Sequence, residues 1–294
     1  MKIAFMSSAN FFKRNSARRY SAVESMRILY DMGYTTQDLS LGRMMFNESE
    51  FNGDNWMDLA YEVRDLKEQL HITFVQAHLP FRCMNYFDRP KEYHQFVTDM
   101  TFRAAQICAI VGVEWVVMHP IYDPAVPCEA YAEQLAENHK FYDSIVELLI
   151  NAGCGVAFEN LVDLPHHRRF GSTAAELNML IDSYNSEKVG ACVDFGHANL
   201  MYHDAEPWFI RQIGSRLRAT HLDDNYGSLD DHMPPFVGTV KWEEVMKAVK
   251  EIGFDGFLVY ETNVFTTIPD ELREPLYGYL QKVGDHLIQL WENA

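Results

Sequence analysis

Six short apolar runs in this 294-residue chain end in an acid or an imidazole, the side chains that hold metal ions and move protons. They close on Gln-Ala-His78, Val-Met-His119-Pro, Ala-Phe-Glu159-Asn, Val-Asp194-Phe-Gly-His197, Thr-His221-Leu-Asp-Asp and Tyr-Glu261-Thr. Singly, each has an ordinary explanation: a histidine at a strand end is usually hydrogen-bonded structure, and a lone acid there often caps the next helix. Coincidence defeats that explanation. Glu159, Asp194 and Glu261 gathered in one buried place would repel one another and could not all ionise without a compensating cation. Three carboxylates with His221 make a mixed oxygen and nitrogen set suited to Mn²⁺, Mg²⁺ or Co²⁺, and the imidazole also suits Zn²⁺.

Gathering them is the task of the scaffold. Apolar runs at 3–6, 36–41, 72–78, 115–119, 155–161, 189–195, 218–222 and 256–261 alternate with helical patterns at 16–32, 54–70, 91–111, 129–152, 173–185, 204–215, 242–252 and 270–291. Each helix carries the chain back to start the next strand in the same direction, which demands a parallel sheet. Eight such units, with strands too apolar to have a wet face, predict an α/β fold: one (β/α)8 TIM barrel over residues 1–294. An open doubly wound sheet ranks second, because Ser7-Ser8-Ala9-Asn10-Phe11-Phe12 after the first run contains no glycine to cradle a phosphate. In a closed barrel the C-terminal strand ends converge on one face, so residues far apart in sequence become neighbours there.

Composition narrows the partners. Lys plus Arg number 25 against 42 for Asp plus Glu, and a net charge of −17 repels phosphate backbones and anionic membrane surfaces. The basic pairs Arg18-Arg19 and Arg168-Arg169 do not amount to a strip that grips a duplex. Cys83, Cys108, Cys128, Cys154 and Cys192 are odd in number and widely spaced, which fits reduced thiols better than a disulfide framework. The opening Met-Lys-Ile-Ala-Phe-Met is too short for a signal-peptide core, and no apolar stretch is long enough to span a bilayer. A soluble, cytoplasmic protein acting on a small molecule is the expectation.

The ordered series Ala-Phe-Glu159-Asn, Val-Asp194-Phe-Gly-His197-Ala-Asn-Leu, Thr-His221-Leu-Asp-Asp-Asn and Tyr-Glu261-Thr resembles the xylose isomerase-like TIM barrel superfamily of sugar isomerases and epimerases, across essentially the whole chain. The resemblance implies one divalent metal held by Glu159, Asp194, His221 and Glu261, with substrate bound by His197. Assembly as a homodimer or homotetramer is common among the superfamily's sugar enzymes. The same superfamily contains DNA-repair endonucleases of the endonuclease IV type with a trinuclear zinc site. His78, His119, His197 and the Asp-x-His of Asp230 and His232 fall where those enzymes place further ligands, or else contact polyol hydroxyls. Two departures stand out. Ketose 3-epimerases carry an arginine six residues beyond the strand-seven His, where this chain has Gly227, and their Pro-Gly-x-Gly turn is here Pro235-Phe236-Val237-Gly238, leaving Phe236 to wall the pocket.

The expected function is therefore a metal-dependent isomerase or epimerase of a sugar, sugar phosphate or polyol. Glu159 and Glu261 approach from opposite sides of the mouth, one removing a proton α to a carbonyl and the other returning it through an enediolate. Dehydration or a lyase step on a keto-sugar needs the same residues, and an AP endonuclease is the alternative from a different class. A barrel that binds sugar without turning it over would carry the three carboxylates as an unused electrostatic cost. Phe11, Phe12, Trp115, Tyr122, Phe195 and Phe236 are candidate sugar-stacking aromatics, and His166-His167-Arg168-Arg169 can read an anionic or polyhydroxyl group.

Overall fold

Runs such as Gly-Val-Ala-Phe and Val-Gly-Ala-Cys-Val leave no face fit for water, so as strands they need cover on both sides. The computed structural model describes residues 1–6, 20–46, 49–82, 86–163, 167–262 and 268–294, and it supplies that cover with helices outside and packed side chains within. The strands are β1 (Lys2–Met6), β2 (Thr36–Ser40), β3 (Thr73–His78), β4 (Trp115–Met118), β5 (Gly155–Glu159), β6 (Val189–Asp194), β7 (Leu217–His221) and β8 (Phe257–Tyr260). Among the described residues the helices are α1 (Ala22–Asp31), α2 (Trp56–Gln69), α3 (Lys91–Val111), α4 (Tyr131–Asn151), α5 (Ala174–Ser183), α6 (Phe195–Tyr202), α7 (Glu206–Ile213), α8 (Trp242–Glu251) and α9 (Asp270–Asn293).

The strands pair in parallel in the order β7-β6-β5-β4-β3-β2-β1-β8, so β1 is bonded to both β2 and β8. The remaining seam is closed differently. β7 meets β8 through a bridge from Leu222 to Tyr260, with the Leu222 N–H donating to Val259 O at 2.7 Å. The Thr220 hydroxyl donates to Phe257 O at 2.8 Å and accepts from the Val259 N–H at 3.3 Å, so a side chain stands in for ladder bonds. The (β/α)8 barrel expected from the alternation forms, nearly closed, and each strand lies within one or two residues of its apolar run.

The helix the periodicity does not reveal is α6. Its sequence, Phe195 to Tyr202, reads as the tail of an apolar strand, yet Asp194 caps it by accepting the His197 N–H. The pattern expected over 16–32 is helical from Ala22, where Ser21 and Glu24 form a capping box, and residues 16–19 lie outside the described residues.

Inside the barrel, beneath the site, the side chains are small: Val117, Ala157, Cys192 and Ala219 form one cluster and Ala4, Val75 and Val259 another. The end remote from the site is plugged by Trp115, with the Arg218 guanidinium 5.8 Å from its ring centre. Two glycines make room. A Cβ on Gly155 would lie 2.3 Å from the Trp115 ring, and one on Gly190 would lie 2.3 Å from Arg218 Cγ. Gly155→Ala should therefore overpack the plug and cost about 1–3 kcal/mol in urea unfolding, with partial recovery when Trp115→Leu is added. An unchanged unfolding midpoint for the single variant would show that the plug is not close-packed.

Candidate metal centre

The strand ends deliver their polar side chains to one buried cluster. Glu159, at the end of β5 and 1% exposed, sits among four imidazoles. Its Oε2 is 3.1 Å from His78 Nε2 and 3.3 Å from His119 Nε2, and its Oε1 is 3.2 Å from His221 Nδ1 and 3.3 Å from His197 Nδ1. From β8, Glu261 Oε2 reaches 2.8 Å from the same His221 Nδ1, and Asp194 Oδ2 lies 3.8 Å from it. Glu159, Asp194, His221 and Glu261 each offer one donor atom, all within 4.8 Å of one another.

These residues fit a divalent cation. Asp194 Oδ2 and His221 Nδ1 are buried and neither has a hydrogen-bond partner; the short approach of Glu261 to His221 is a charge contact without hydrogen-bond alignment. Burial pushes the Asp194 carboxyl well above its ordinary range, and the neighbouring Asp223 charge adds to the effect. Burial works the same way on Glu159, but His221 and His119 outweigh it and hold that carboxyl well below its usual value. Glu261 is only partly exposed, and against the burial it does have His221 brings it down to about 2. His119 is pushed down to about 4 because burial outweighs its carboxylate neighbour, so it is a neutral ring at neutral pH. The carboxyls of the cluster thus divide: Glu159 and Glu261, where imidazoles outweigh burial, are held low, and Asp194, where burial and Asp223 outweigh His197, is raised.

Second contacts fix which ring nitrogen faces inward. His78 donates Nδ1–H to Leu79 O at 2.7 Å, His197 donates Nδ1–H to Asn160 O at 2.8 Å, and His232 donates Nδ1–H to Glu261 O at 2.9 Å. Each then presents Nε2: His78 to Glu159, and His197 and His232 to Asp230 at 3.3 and 3.4 Å. His197, the residue the resemblance assigns to substrate, is buried beside Glu159, because the first turn of α6 folds back over its own cap Asp194. Asp230 and His232 arrive on the connection from β7 to α8, fastened by Asp224, which accepts from Phe236 N–H at 3.0 Å, Val240 N–H at 3.1 Å and Trp242 Nε1–H at 2.9 Å. Phe236 sits there at φ +69°, the backbone that a glycine takes without strain.

All nine candidate residues, His78, His119, Glu159, Asp194, His197, His221, Asp230, His232 and Glu261, come together. Two further donors escaped the sequence reading. Asp223 is fully buried, accepts the Gly196 N–H at 3.0 Å and stands 3.1 Å from His232 Nδ1, forming a group with Asp194 and His232. Its signal was present as the acid pair directly after His221-Leu. Cys192, two residues before Asp194 on the same strand face, groups with Glu159 and His221. It and Cys108, Cys128 and Cys154 are free and buried, while Cys83 lies outside the described residues.

A cavity of about 200 Å³ opens beside the cluster, bounded by His78, His232 and Glu261 on the inner side and by Ser40, Arg43, Met45, Phe46, Phe81 and Thr262 beyond. Its aromatics are Phe46 and Phe81, the latter stacked 4.5 Å from His119. The expected aromatics go elsewhere. Phe195 is buried against Trp242, Phe236 packs on Trp242 and His286, and Trp115 plugs the far end. Phe11, Phe12, His166 and the pair Arg18-Arg19 lie outside the described residues.

A parallel eight-stranded barrel that gathers carboxylates and imidazoles at its C-terminal mouth has the architecture of the barrel enzymes, whose active sites lie on that face. Comparison narrows it: the xylose isomerase-like TIM barrel family matches residues 27–281, and the chain belongs to that family. The uncharacterized protein MJ1311 of Methanocaldococcus jannaschii is 27% identical over 230 residues, 76% of each chain. Among solved structures, a D-tagatose 3-epimerase-like protein superposes with a TM-score of 0.73 at 20% identity, covering 100% of this chain and 99% of that one. The IOLI protein with a bound zinc atom superposes with a TM-score of 0.66 at 16% identity, covering 100% and 96%. No helix among the described residues is long and apolar enough to cross a membrane.

Burial raises the Asp194 carboxyl, so a cation competes there with a proton. Binding of Mn²⁺ or Zn²⁺ should release protons, and affinity should rise with pH up to that raised value. Titration calorimetry in two buffers of different ionisation enthalpy reads this directly; heats independent of buffer would show that neither Asp194 nor His221, whose imidazole its acidic neighbours raise against burial, gives up a proton to the metal.

Proposed function

We propose that this protein is a divalent-metal-dependent carbohydrate isomerase or epimerase in which Glu159 and Glu261 exchange a substrate proton through an enediolate. The observation that carries the reading is the approach of both glutamates, from β5 and β8, to one atom, His221 Nδ1, at 3.2 and 2.8 Å. Two bases on opposite sides of one centre suit removal of a proton from one face of a carbon and its return to the other face, or to the adjacent carbon. Both carboxyls are held below their ordinary range, so both are ionised and ready to accept a proton at neutral pH. Glu159, Asp194, His221 and Glu261 would hold the metal, which when bound would supply positive charge to a carbonyl and its neighbouring hydroxyl. Mn²⁺, Mg²⁺, Co²⁺ and Zn²⁺ all suit that donor set. His78 and His119 hold Glu159 in position, and His197 and His232, with Asp230 between them, offer ring nitrogens to substrate hydroxyls. Likeness of fold to a D-tagatose 3-epimerase-like protein supports a sugar as the small-molecule partner.

A second reading rests on its own observation. His78, His119 and Glu159 form a separate metal-capable group on the far side of Glu159, and Asp194, Asp223 and His232 form another, as a multinuclear AP endonuclease site would require. A net charge of −17 argues against it, and so does Arg168, whose guanidinium is spent on Glu129, Asp163 and Glu176. The two readings separate in one assay pair: solvent deuterium should enter members of a ketose panel, whereas metal-dependent nicking of an abasic duplex at physiological salt would overturn the sugar assignment.

Glu159→Gln and Glu261→Gln should each lower kcat on the true substrate by roughly 10²- to 10⁴-fold, the usual contribution of a general acid or base. Metal content is to be measured alongside; a loaded variant keeping more than about a tenth of kcat would remove that residue from the proton path. His221→Ala should lose the metal and His197→Ala should keep it while impairing substrate use. Loss of an essential metal from the His197 variant would favour the multinuclear site instead.

A further inference from the structure

The connection from β5 to α5 carries two adjacent arginines in contrasting situations. Arg168 is engaged with carboxylates at every turn: Glu129 at 3.1 Å, Asp163 at 3.8 Å and Glu176 closer still. Arg169 has no such partner. Its main-chain N–H donates to Asp163 Oδ1 at 2.9 Å and its Nε–H donates to Val162 O, which fixes the stem. Among the described residues no carboxylate comes within ion-pair distance of its guanidinium and no acceptor meets either Nη. The side chain is half-buried, burial lowers its guanidinium, and it lies within electrostatic reach of Tyr122 and Asp163 and, more weakly, of Asp230 and Glu159 at the edge of the cluster.

Those three carboxylates do not neutralise it: Asp163 lies 3.8 Å from Arg168 and accepts the Arg169 main-chain N–H, and the other two are engaged as well. Glu159 is ringed by four imidazoles and Asp230 lies between His197 and His232. A half-buried cation without a counter-charge is costly, and the cost is recovered when a ligand brings an anion. His167, two residues earlier, points the same way: its Nε2 is buried with no hydrogen-bond partner, and its ring centre is 5.4 Å from that of Tyr122. From the β3 side, Arg82 reaches Tyr122 O at 3.4 Å, with its guanidinium packed against the rings of Tyr86 and Phe141 and no carboxylate beside it among the described residues. In a chain of net charge −17, two guanidinium groups with no ion pair among the described residues thus gather near Tyr122.

We infer that Arg169, with His167 beside it, receives an anionic group of the substrate, so that the carbohydrate taken by this site carries a carboxylate or a phosphate. The inference rests on the carbohydrate reading for the rest of the ligand but not on turnover. Two Nη groups in one plane match the paired oxygens of either anion, which a neutral sugar lacks.

The test is titration calorimetry of the Mn²⁺-loaded protein with three probes: D-ribulose, D-ribulose 5-phosphate and D-fructuronate. Tighter binding of the phosphate or of the uronate than of ribulose is expected, and which one is preferred identifies the anion. Arg169→Gln should weaken the preferred probe by roughly 10- to 100-fold and erase its advantage over ribulose. Arg169→Lys should keep part of that advantage, and Arg211→Gln, in an exposed pair with Glu251, should keep all of it. A merely structural Arg169 would weaken all three probes alike, and that result, or equal affinity for the three in the unaltered protein, overturns the inference. Deuterium exchange into the same probes decides the isomerase reading separately, since an anion preference without exchange would sink the reaction and leave the anion site standing.

Discussion

Mutual repulsion among buried carboxylates governs this molecule. Glu159, Asp194, Asp223 and Glu261 meet at one barrel mouth, three of them almost wholly out of water, where like charges interact far more strongly than in solvent. The protein answers with imidazoles around Glu159 and Glu261, while burial pushes the Asp194 and Asp223 carboxyls upward, toward the neutral form. A divalent cation would answer more completely, since it would displace protons from the cluster and engage Asp194 Oδ2 and His221 Nδ1, which have no hydrogen-bond partner.

The scaffold is arranged to keep that repulsion from scattering the ligands. Asp194 is both a ligand candidate and the cap of α6, so any movement of its carboxylate is resisted by a helix end. Asn160 clamps β5 to β6, donating to Asp194 O at 3.1 Å and accepting the Asp194 N–H at 2.8 Å while its own carbonyl orients His197. Asp224 ties the loop bearing Asp230 and His232 to the start of α8. Beneath the cluster the small side chains of Ala157, Cys192 and Ala219 let the strand ends approach closely, and the bulk they forgo is supplied at the other end by Trp115 and Arg218.

Much of this was legible in the sequence, for identifiable reasons. Strands buried on both faces announce themselves as continuous apolar runs, and a side chain at such a run's end has nowhere to go in a closed barrel but the mouth; hence His78, Glu159, Asp194 and His221 were placed by position alone. What stayed hidden depends on contacts between distant segments. α6 was masked because Phe-Gly-His-Ala-Asn-Leu continues an apolar run, and the burial of His197 follows only once that helix exists. Asp223 looked like one half of an acidic pair until His232 was brought against it. Arg168 and Arg169 are indistinguishable as letters; partners on α5 and on the connection after β4 separate them. Phe236 keeps the left-handed backbone of a glycine turn, a feature that composition argued against.

The central claim is that the carboxylate cluster is a cation site built by Glu159, Asp194, His221 and Glu261. Anomalous diffraction from crystals equilibrated with millimolar MnCl₂ tests it most directly. The account predicts a single strong peak about 2.0–2.3 Å from one donor atom of each of the four residues. Absence of a peak there while the four side chains remain ordered, or peaks confined to surface carboxylates, would contradict it.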